Sequence, residues 1–336
     1  MRVAVIGGSG FIGMPLIESL KRNHAVAVVH RTHKQLEGVT QIITDINKGS
    51  GFWIGIQQFK PDVIVHQILS DANQAKELIS HCKDLKCRVI VLSSADVYTA
   101  FAKFIYKDEG AIEPTPLKEN APCHALNFAQ GAKDLLPAKN LPEWVTHDYN
   151  KKDVEDVLMS QNSVQCTIFR PSFIYGCNDD NNRLGYFIKS MSDQRPTIIL
   201  NKGLANWKSS FIYVDNVVQA ITWSVEKEFS SNVLFNLGSE SRSMLTIIES
   251  LAKAVCWKGQ IGLSHDYETS RCNYSQDFDL DITELRTAGF NEKISLEDGL
   301  KETYEWGKTT SIINFYAHED KFIRDNPDSI EWQNIA

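Results

Sequence analysis

The first residues of the chain combine an apolar strand pattern with a cluster of glycines, an arrangement suited to binding a dinucleotide. Residues 2–7 predict a strand, and Gly7 and Gly8 permit a tight turn at its end. Gly10 lets the backbone approach a pyrophosphate, and Gly13 lets the following helix pack closely against the strand. The helix N-terminus offers unpaired N–H groups to the phosphates. The pattern predicts a dinucleotide-binding βαβ unit, with a glycine-rich turn of an unrelated α/β protein as the alternative.

The end of the second predicted strand, residues 24–30, bears on the choice of cofactor. An acidic residue there would bind the ribose 2′-hydroxyl and favour NAD, but the chain continues with Arg31. A guanidinium pairs well with a 2′-phosphate, and His33 and Lys34 could add to that contact. The sequence therefore favours NADP over NAD, and a solvated basic turn is the other interpretation.

Composition narrows the class of protein. The 336 residues are 43% hydrophobic and 23% charged with a net charge of −7, which argues against a nucleic-acid or anionic-membrane binder. Because the first strand begins at residue 2 and apolar runs are short, we expect neither a leader peptide nor a membrane span. Seven cysteines without a C-x-x-C and nine dispersed histidines predict a reduced, cytoplasmic protein with no metal site.

Strand and helix patterns alternate over the first half of the chain, which predicts a parallel sheet covered on both faces. Between Thr99 and His147 the periodicity breaks down among prolines, so this stretch is either a functional loop or a surface insertion. The predicted strands are 2–7, 24–30, 41–44, 61–66, 88–93, 165–170 and 197–200, and the predicted helices are 12–22, 71–84, 149–160, 186–191, 215–225 and 245–255. Two late segments, 282–288 and 296–306, are regular elements whose type the pattern leaves open.

These patterns predict an α/β protein with a Rossmann-type doubly wound parallel sheet and a smaller C-terminal α/β substrate lobe. We expect a cofactor domain over residues 1–171, with an irregular insertion at about 100–147. A substrate-binding lobe over 172–310 is interleaved with that domain, and 311–336 form a tail. The substrate cleft is expected at the carboxyl ends of the strands.

An ordered series of motifs resembles the extended short-chain dehydrogenases/reductases, the NAD(P)-dependent epimerase/dehydratase group. The resemblance runs from Arg2 to about Trp306, and residues 148–151 and 195–200 are similar to an atypical bacterial branch of that group. The matching motifs are Gly7–Gly13, Ser93–Tyr98, Arg170–Gly176, Phe211–Asp215, Phe235–Gly238 and the segment 289–300. Beyond Gly7, Gly10, Gly13 and Arg31, the resemblance implies cofactor contacts from Phe11, Ile12, Asp45, Ile46, Lys151, Pro171 and Phe173, with Asp45 at the adenine.

The resemblance also implies hydride transfer assisted by three side chains. In the group, a Ser or Thr hydroxyl polarises the substrate oxygen, a Tyr moves the proton, and a Lys four residues later binds the nicotinamide ribose. Ser94 matches the serine, although it could simply cap the next helix. Counting back from Arg170, Glu155 takes the usual glutamate position, which puts Lys151 at the lysine and His147 at the tyrosine.

The spacing of the Tyr and Lys departs from the group's pattern. Tyr149 precedes Lys151 by two residues, and two positions of a regular helix lie about 200° apart. Tyr149 can face the cofactor with Lys151 only if the helix begins after it. We expect Lys151 at the ribose and Tyr149 as the acid–base group, with the imidazole of His147 as its substitute. A helix that only packs is the alternative.

Substrate contacts are less clearly marked. The resemblance implies Asp96 and Tyr98 beside the substrate, and Lys208 lies where sugar-nucleotide epimerases commonly place a phosphate-binding Arg. Arg183 and Arg271 could each contact an anion, or be ordinary surface charges. Trp207 could stack on a sugar or a base, or simply bury area.

Three functions follow from these observations. The favoured one is an NAD(P)-dependent epimerase, dehydratase or reductase acting on a sugar-like or small carbonyl or hydroxyl compound. The first alternative is a catalytically silent NAD(P)-binding sensor, and the second is an RNA-associated relative, which the negative charge disfavours. The resemblance also implies a homodimer formed through the helices at 71–84 and 149–160.

Overall fold

The computed structural model describes residues 1–31, 36–46, 51–106, 110–124, 149–268, 272–309 and 316–334. Its main feature is a seven-stranded parallel sheet with strand order β11-β6-β5-β4-β1-β2-β3. The strands are β1 (Arg2–Ile6), β2 (Ala25–His30), β3 (Thr40–Ile43), β4 (Val63–His66), β5 (Arg88–Leu92), β6 (Cys166–Pro171) and β11 (Val233–Leu237). The chain order reverses between β1 and β4, and their carboxyl ends form the crevice in which doubly wound sheets bind ligands.

Helices cover both faces of this sheet because successive strand residues point to opposite sides. In β1, Val3 and Val5 enter one hydrophobic core, while Ala4 and Ile6 enter the other. The helices of this part are α1 (Gly13–Leu20), α2 (Phe52–Phe59), α3 (Ala72–Leu85), α4 (Thr99–Tyr106) and α5 (Lys151–Met159). The sheet and its flanking helices confirm the predicted Rossmann-type fold class.

The remaining elements follow β6 in the chain, and one of them, the helix Val214–Glu226, packs against α1 and β5 of the main sheet. They include a three-stranded sheet of order β14-β13-β8 and two short two-stranded pairs. The strands are β7 (Ile174–Tyr175), β8 (Thr197–Asn201), β9 (Lys208–Ser209), β10 (Ile212–Tyr213), β12 (Arg242–Ser243), β13 (Gln260–Ser264) and β14 (Glu331–Asn334). The helices are α6 (Gly185–Ser192), α7 (Lys202–Asn206), α8 (Val214–Glu226), α9 (Met244–Ala254), α10 (Thr283–Thr287), α11 (Leu296–Gly307) and α12 (Tyr316–Asp325).

Four helices lie where the sequence predicted no regular element, namely α2, α4, α7 and α12. Helix α4 lies in the stretch expected to be irregular, where Phe101 and Phe104 pack into an aromatic cluster. Helix α2 buries Trp53 and Ile56 against the sheet, although Gly55 and the shortness of its pattern obscured it. In both, tertiary packing stabilises a segment too short to be helical by propensity alone.

The described part of the C-terminal segment, residues 316–334, packs against β8 and β13. Strand β14 pairs antiparallel with β13, and Glu319 of α12 is fully buried against β8. Its carboxylate accepts a hydrogen bond from the backbone N–H of Ile199 at 2.8 Å. The boundary expected at residue 310 therefore does not mark the end of the packed structure.

No helix in the described residues is both long enough and apolar enough to cross a bilayer.

Candidate active site

The glycine turn lies between β1 and α1 and has the backbone geometry that a dinucleotide site requires. Gly7 adopts a φ of +92°, which side-chain-bearing residues rarely adopt. A Cβ atom on Gly13 would lie 2.5 Å from the carbonyl carbon of Gly8, so only glycine lets the helix begin this close to the turn. A Cβ on Gly10 would meet no protein atom within 4 Å, so Gly10 faces open space.

That open space is a cleft of about 460 Å³ at the carboxyl ends of β1, β2 and β3. The expected cofactor residues Gly7, Gly10, Phe11, Ile12, Arg31, Asp45 and Ile46 all line it. A helix N-terminus, a guanidinium and a narrow apolar slot fit the phosphates, the 2′ position and the adenine of a dinucleotide. Nine further lining residues were not named as cofactor contacts from the sequence, namely Ser9, Val29, His30, Thr44, Gln67, Ile68, Asp179, Asp180 and Asn181.

The sequence left open whether helix α5 begins before or after Tyr149. Asn150 is extended, and its side-chain oxygen accepts hydrogen bonds from the N–H groups of Lys152 and Asp153, so that the helix starts at Lys151. Tyr149 consequently lies before the helix, and its ring centroid is 5.8 Å from the Lys151 ammonium. The cap thus brings together two side chains that one regular helix would have separated.

Lys151 extends to the carboxyl edge of the sheet. Its ammonium donates hydrogen bonds to the carbonyl of Leu92, directly at the end of β5, at 3.1 Å, and to that of Leu69 at 2.7 Å. Burial lowers the pKa of Lys151 to about 8, although the nearby Asp96 and Glu155 carboxylates favour the charged form. The ammonium is therefore held at the predicted crevice and is cationic at neutral pH.

Ser94 and Asp96 follow β5 and lie near Lys151. The Ser94 hydroxyl accepts a hydrogen bond from the Asp96 N–H at 3.3 Å, which is the capping alternative for this serine. A small opening beside them is lined by Asp96, His124, Tyr149 and Lys151. Burial raises the pKa of Asp96, and burial together with the Asp96 charge raises the pKa of Tyr149. His124, which the sequence analysis did not single out, shows that this group of titratable side chains is larger than expected.

A buried ion pair lies one helical turn from Lys151. Glu155 and Arg170 are only 1% and 3% exposed, and two of their nitrogen–oxygen contacts measure 2.9 and 2.5 Å. Ser93 donates a hydrogen bond to the same carboxylate at 2.5 Å. Burial alone would lower the pKa of Arg170, but the hydrogen bonds and charge of Glu155 raise it above the usual range. The network joins α5 to β5 and β6 and fixes the helix that carries Lys151.

Two of the expected substrate residues are buried among protein side chains. The Tyr98 hydroxyl donates to Asn236 at 2.6 Å and accepts from Arg170 at 2.9 Å, and its side chain is fully buried. Trp207 is 3% exposed and stacks on Phe104 with ring centroids 4.6 Å apart. In this structure both residues stabilise the packing beside the crevice rather than face it.

The other expected residues have varied positions. Arg183 pairs with Asp179 at 2.8 Å, which brings it next to the cofactor cleft. Lys208 is exposed in β9, and Phe173 belongs to the aromatic cluster of Phe104 and Trp207. Pro171 ends β6. His147, His33, Lys34 and Arg271 lie outside the described residues.

The chain matches the NAD dependent epimerase/dehydratase family over residues 3–238, about two thirds of its length, and belongs to that family. The resemblance seen in the sequence is thereby confirmed. The chain is 23% identical to GDP-L-fucose synthase of Escherichia coli over 357 aligned positions, covering 96% of this chain and 98% of that protein.

Solved structures of similar fold include nucleotide-sugar epimerases. UDP-glucuronic acid 4-epimerase from Bacillus cereus in complex with NAD is 20% identical with a TM-score of 0.65, covering 92% of this chain and 99% of that one. UDP-glucose 4-epimerase from Thermotoga maritima with UDP-glucose is 19% identical with a TM-score of 0.65, covering 91% and 98%. At these identities the likeness shows the shared fold.

Proposed function

We propose that the protein is an NAD(P)-dependent epimerase, dehydratase or reductase that acts by hydride transfer on a sugar-like or small carbonyl or hydroxyl substrate. The observation that carries this proposal is the meeting of Tyr149 and Lys151 at the carboxyl edge of the sheet, next to Asp96. When bound, the nicotinamide supplies or accepts the hydride. The protein must then hold the ribose and move a proton at the substrate oxygen.

Each of those tasks has a candidate side chain. The Lys151 ammonium is the candidate donor to the ribose hydroxyls, since it is cationic below its pKa of about 8. Tyr149 is the candidate proton donor to the substrate oxygen as hydride arrives. Burial and the Asp96 charge raise its pKa, which makes it a weaker acid than an ordinary tyrosine before cofactor and substrate bind. Ser94 would polarise the same oxygen, Asp96 would contact the substrate, and His147 is the alternative acid–base group.

NADP is the proposed cofactor, since Arg31 lines the cleft at the end of β2, where a 2′-phosphate would lie. Titration with NADPH and NADH tests this. Arg31→Ala should weaken NADPH roughly tenfold or more and leave NADH nearly unchanged, while Arg31→Lys should retain part of the preference. Equal losses for both nucleotides in Arg31→Ala would remove the case for NADP.

Gly10→Asp tests the site itself. Because a Cβ at Gly10 meets no protein atom, the variant should fold normally, yet its carboxylate would face the pyrophosphate and abolish binding. Gly10→Ala is the matched control without charge and should show an intermediate loss. Unchanged NADPH affinity in a folded Gly10→Asp protein would refute the cofactor assignment.

The silent sensor is the second candidate, favoured by one observation. Two protein carbonyls already accept hydrogen bonds from Lys151, as they would if the helix only packed. Incubation with NADP or NADPH and UDP-glucose or UDP-glucuronic acid, followed by nicotinamide absorbance and product chromatography, separates the two. Turnover that falls roughly 10²-fold or more in Tyr149→Phe, with cofactor affinity retained, supports the enzyme. Cofactor binding without turnover of either compound favours the sensor.

A further inference from the structure

A second cavity, of about 540 Å³, lies in the C-terminal lobe. It is enclosed by the loop after β11, by strand β9, by helix α9 and by the segment leading into α11. Its lining shares no residue with the cofactor cleft or with the opening beside Tyr149. The proposed hydride-transfer reaction makes no use of it.

The rim of this cavity carries an excess of positive charge. Arg242 and Arg286 both approach one carboxylate, that of Glu240, at 2.8 and 4.0 Å. A single carboxylate between two guanidiniums leaves one positive charge, and Lys293 lines the same cavity. Guanidinium groups at an open rim suit a phosphate, which they can contact with two parallel hydrogen bonds.

The interior offers groups for hydroxyls. Ser209 is fully buried, and its hydroxyl has no hydrogen-bond partner among the described residues, although it lines the cavity. Buried hydroxyls are rarely left without a partner, so a ligand group at this position would complete it. The Glu292 carboxylate accepts a hydrogen bond from Ser239 at 2.7 Å and retains further acceptor capacity. Glu292 lines the cavity, and burial raises the pKa of its carboxyl group.

Apolar side chains complete the wall. Phe211, Ile247 and Leu296 line the same space, and their surfaces suit the carbon face of a ring. The cavity therefore combines a cationic rim, an interior with hydroxyl partners and an apolar side.

We propose that this cavity binds a phosphate monoester of a polyhydroxylated compound, separately from the dinucleotide. Arg242 and Arg286 contact the phosphate, while Ser209 and Glu292 contact the hydroxyls. The site does not depend on the cofactor assignment, because the two cavities have no residue in common.

Isothermal titration of the full chain with glucose 6-phosphate, in the presence of saturating NADPH, tests the proposal. We expect saturable binding that is much tighter than that of glucose. Arg242→Gln combined with Arg286→Gln should weaken it roughly 10-fold to 100-fold. Arg22→Gln, which removes one guanidinium at an exposed position outside the cavity, should change nothing.

Ser209→Ala provides a second readout. Because the Ser209 hydroxyl has no hydrogen-bond partner in the described part of the chain, its removal should not lower the unfolding temperature. It should weaken glucose 6-phosphate roughly 2-fold to 10-fold. If Ser209 had only a structural role, Ser209→Ala would instead lower the unfolding temperature without selectively weakening the binding of glucose 6-phosphate.

Three results would overturn the proposal: no saturable binding of glucose 6-phosphate, equal binding of glucose, or equal losses in Arg22→Gln and the double variant. Loss of the heat signal on NADPH saturation would also overturn it, because the ester would then occupy the dinucleotide cleft. Phosphorus NMR distinguishes the two places where the ester could bind. An ester that stays unchanged supports a binding site apart from the reaction centre, whereas one that is consumed would overturn the proposal, because it would then occupy the site of hydride transfer.

Discussion

The buried Glu155–Arg170 pair gives a prediction whose magnitude can be worked out from the structure. In Glu155→Gln the side chain keeps its shape, but the carboxylate charge that faces Arg170 is lost. One oxygen becomes an NH₂ group, which must then face either the Arg170 guanidinium or the Ser93 hydroxyl, both donors to the native carboxylate. Arg170 would retain hydrogen bonds only to neutral groups, Tyr98 and the carbonyl of Glu119.

Breaking a buried ion pair on one side leaves an uncompensated charge in the interior, which costs about 3–5 kcal/mol. The pair is 1% and 3% exposed, so solvent screening relieves little of this cost. We therefore expect Glu155→Gln to lower the free energy of unfolding by about 3–5 kcal/mol. Urea denaturation followed by the fluorescence of the seven tryptophans measures it.

Glu305→Gln is the matched control. Glu305 pairs with Lys308 on the surface of α11, with side chains 55% and 39% exposed, and its replacement should leave stability unchanged within error. Replacing both buried partners, as in Glu155→Gln with Arg170→Met, should cost less than the sum of the single changes, since no charge is left alone. If Glu155→Gln lowered the free energy of unfolding by less than about 1 kcal/mol, the reasoning that it leaves Arg170 as an uncompensated buried charge would be refuted.

Three further changes test other parts of the structure. NADPH affinity should fall as the pH rises through about 8, because Lys151 loses its charge above that pKa, and Lys151→Arg should remove this pH dependence. A dissociation constant for NADPH that does not change between pH 7 and pH 9 would contradict this expectation. Glu319→Ala leaves the buried N–H of Ile199 without its acceptor, so the free energy of unfolding measured by urea denaturation should decrease by about 1–3 kcal/mol. An unchanged urea midpoint would show that this contact of α12 does not stabilise the protein. Gly13→Ala places a Cβ 2.5 Å from the Gly8 carbonyl carbon, so both the melting temperature and NADPH binding should decrease, and a native melting temperature would show that the turn is not so tightly packed.

The burial of Lys151 also makes the stability of the fold depend on pH. Its folded-state pKa of about 8 lies below the unfolded value of 10.5, so the unfolded chain binds more protons between these values. Stability from this residue therefore rises as the pH increases from about 8 towards 10.5, and the full cost of the buried charge is present below pH 8.

Six of the seven strands of the main sheet were predicted, and β1, β2, β4, β5 and β6 were predictable because each is a short, nearly continuous apolar run, as a strand buried on both faces requires. Strand β11 (Val233–Leu237) was not predicted. The predicted ends of β5 and β6 differ from the observed ones by a single residue. Helices α2 and α4 were missed because their apolar residues fill most of each short segment and leave little polar face to reveal a period. Packing against the sheet and the aromatic cluster decided those two.

In the candidate site, too, some residues could be predicted from the sequence and others could not. Every glycine and side chain from Gly7 to Ile12 that was expected in the cofactor cleft lines it, because the contacts there are made by the turn itself and are local in sequence. The expected contacts of Tyr98 and Trp207 depended on which way each side chain faces, and hydrogen bonds from distant residues set that direction. Asp179 and His124 could not be found by pattern, since each follows an irregular segment.

The sequence by itself determined the family, the parallel sheet and the dinucleotide turn, because these depend on local backbone geometry and on apolar runs. It left open whether Tyr149 and Lys151 face the same site. The spacing of two in the sequence is the same whether both residues lie in one helix or the helix begins between them. The tertiary structure decided the matter: the Asn150 cap ends the extended segment, and the carbonyls at the sheet edge hold the Lys151 ammonium next to the tyrosine ring. Such contacts join positions about 60 and 80 residues apart, a distance over which no local pattern carries information.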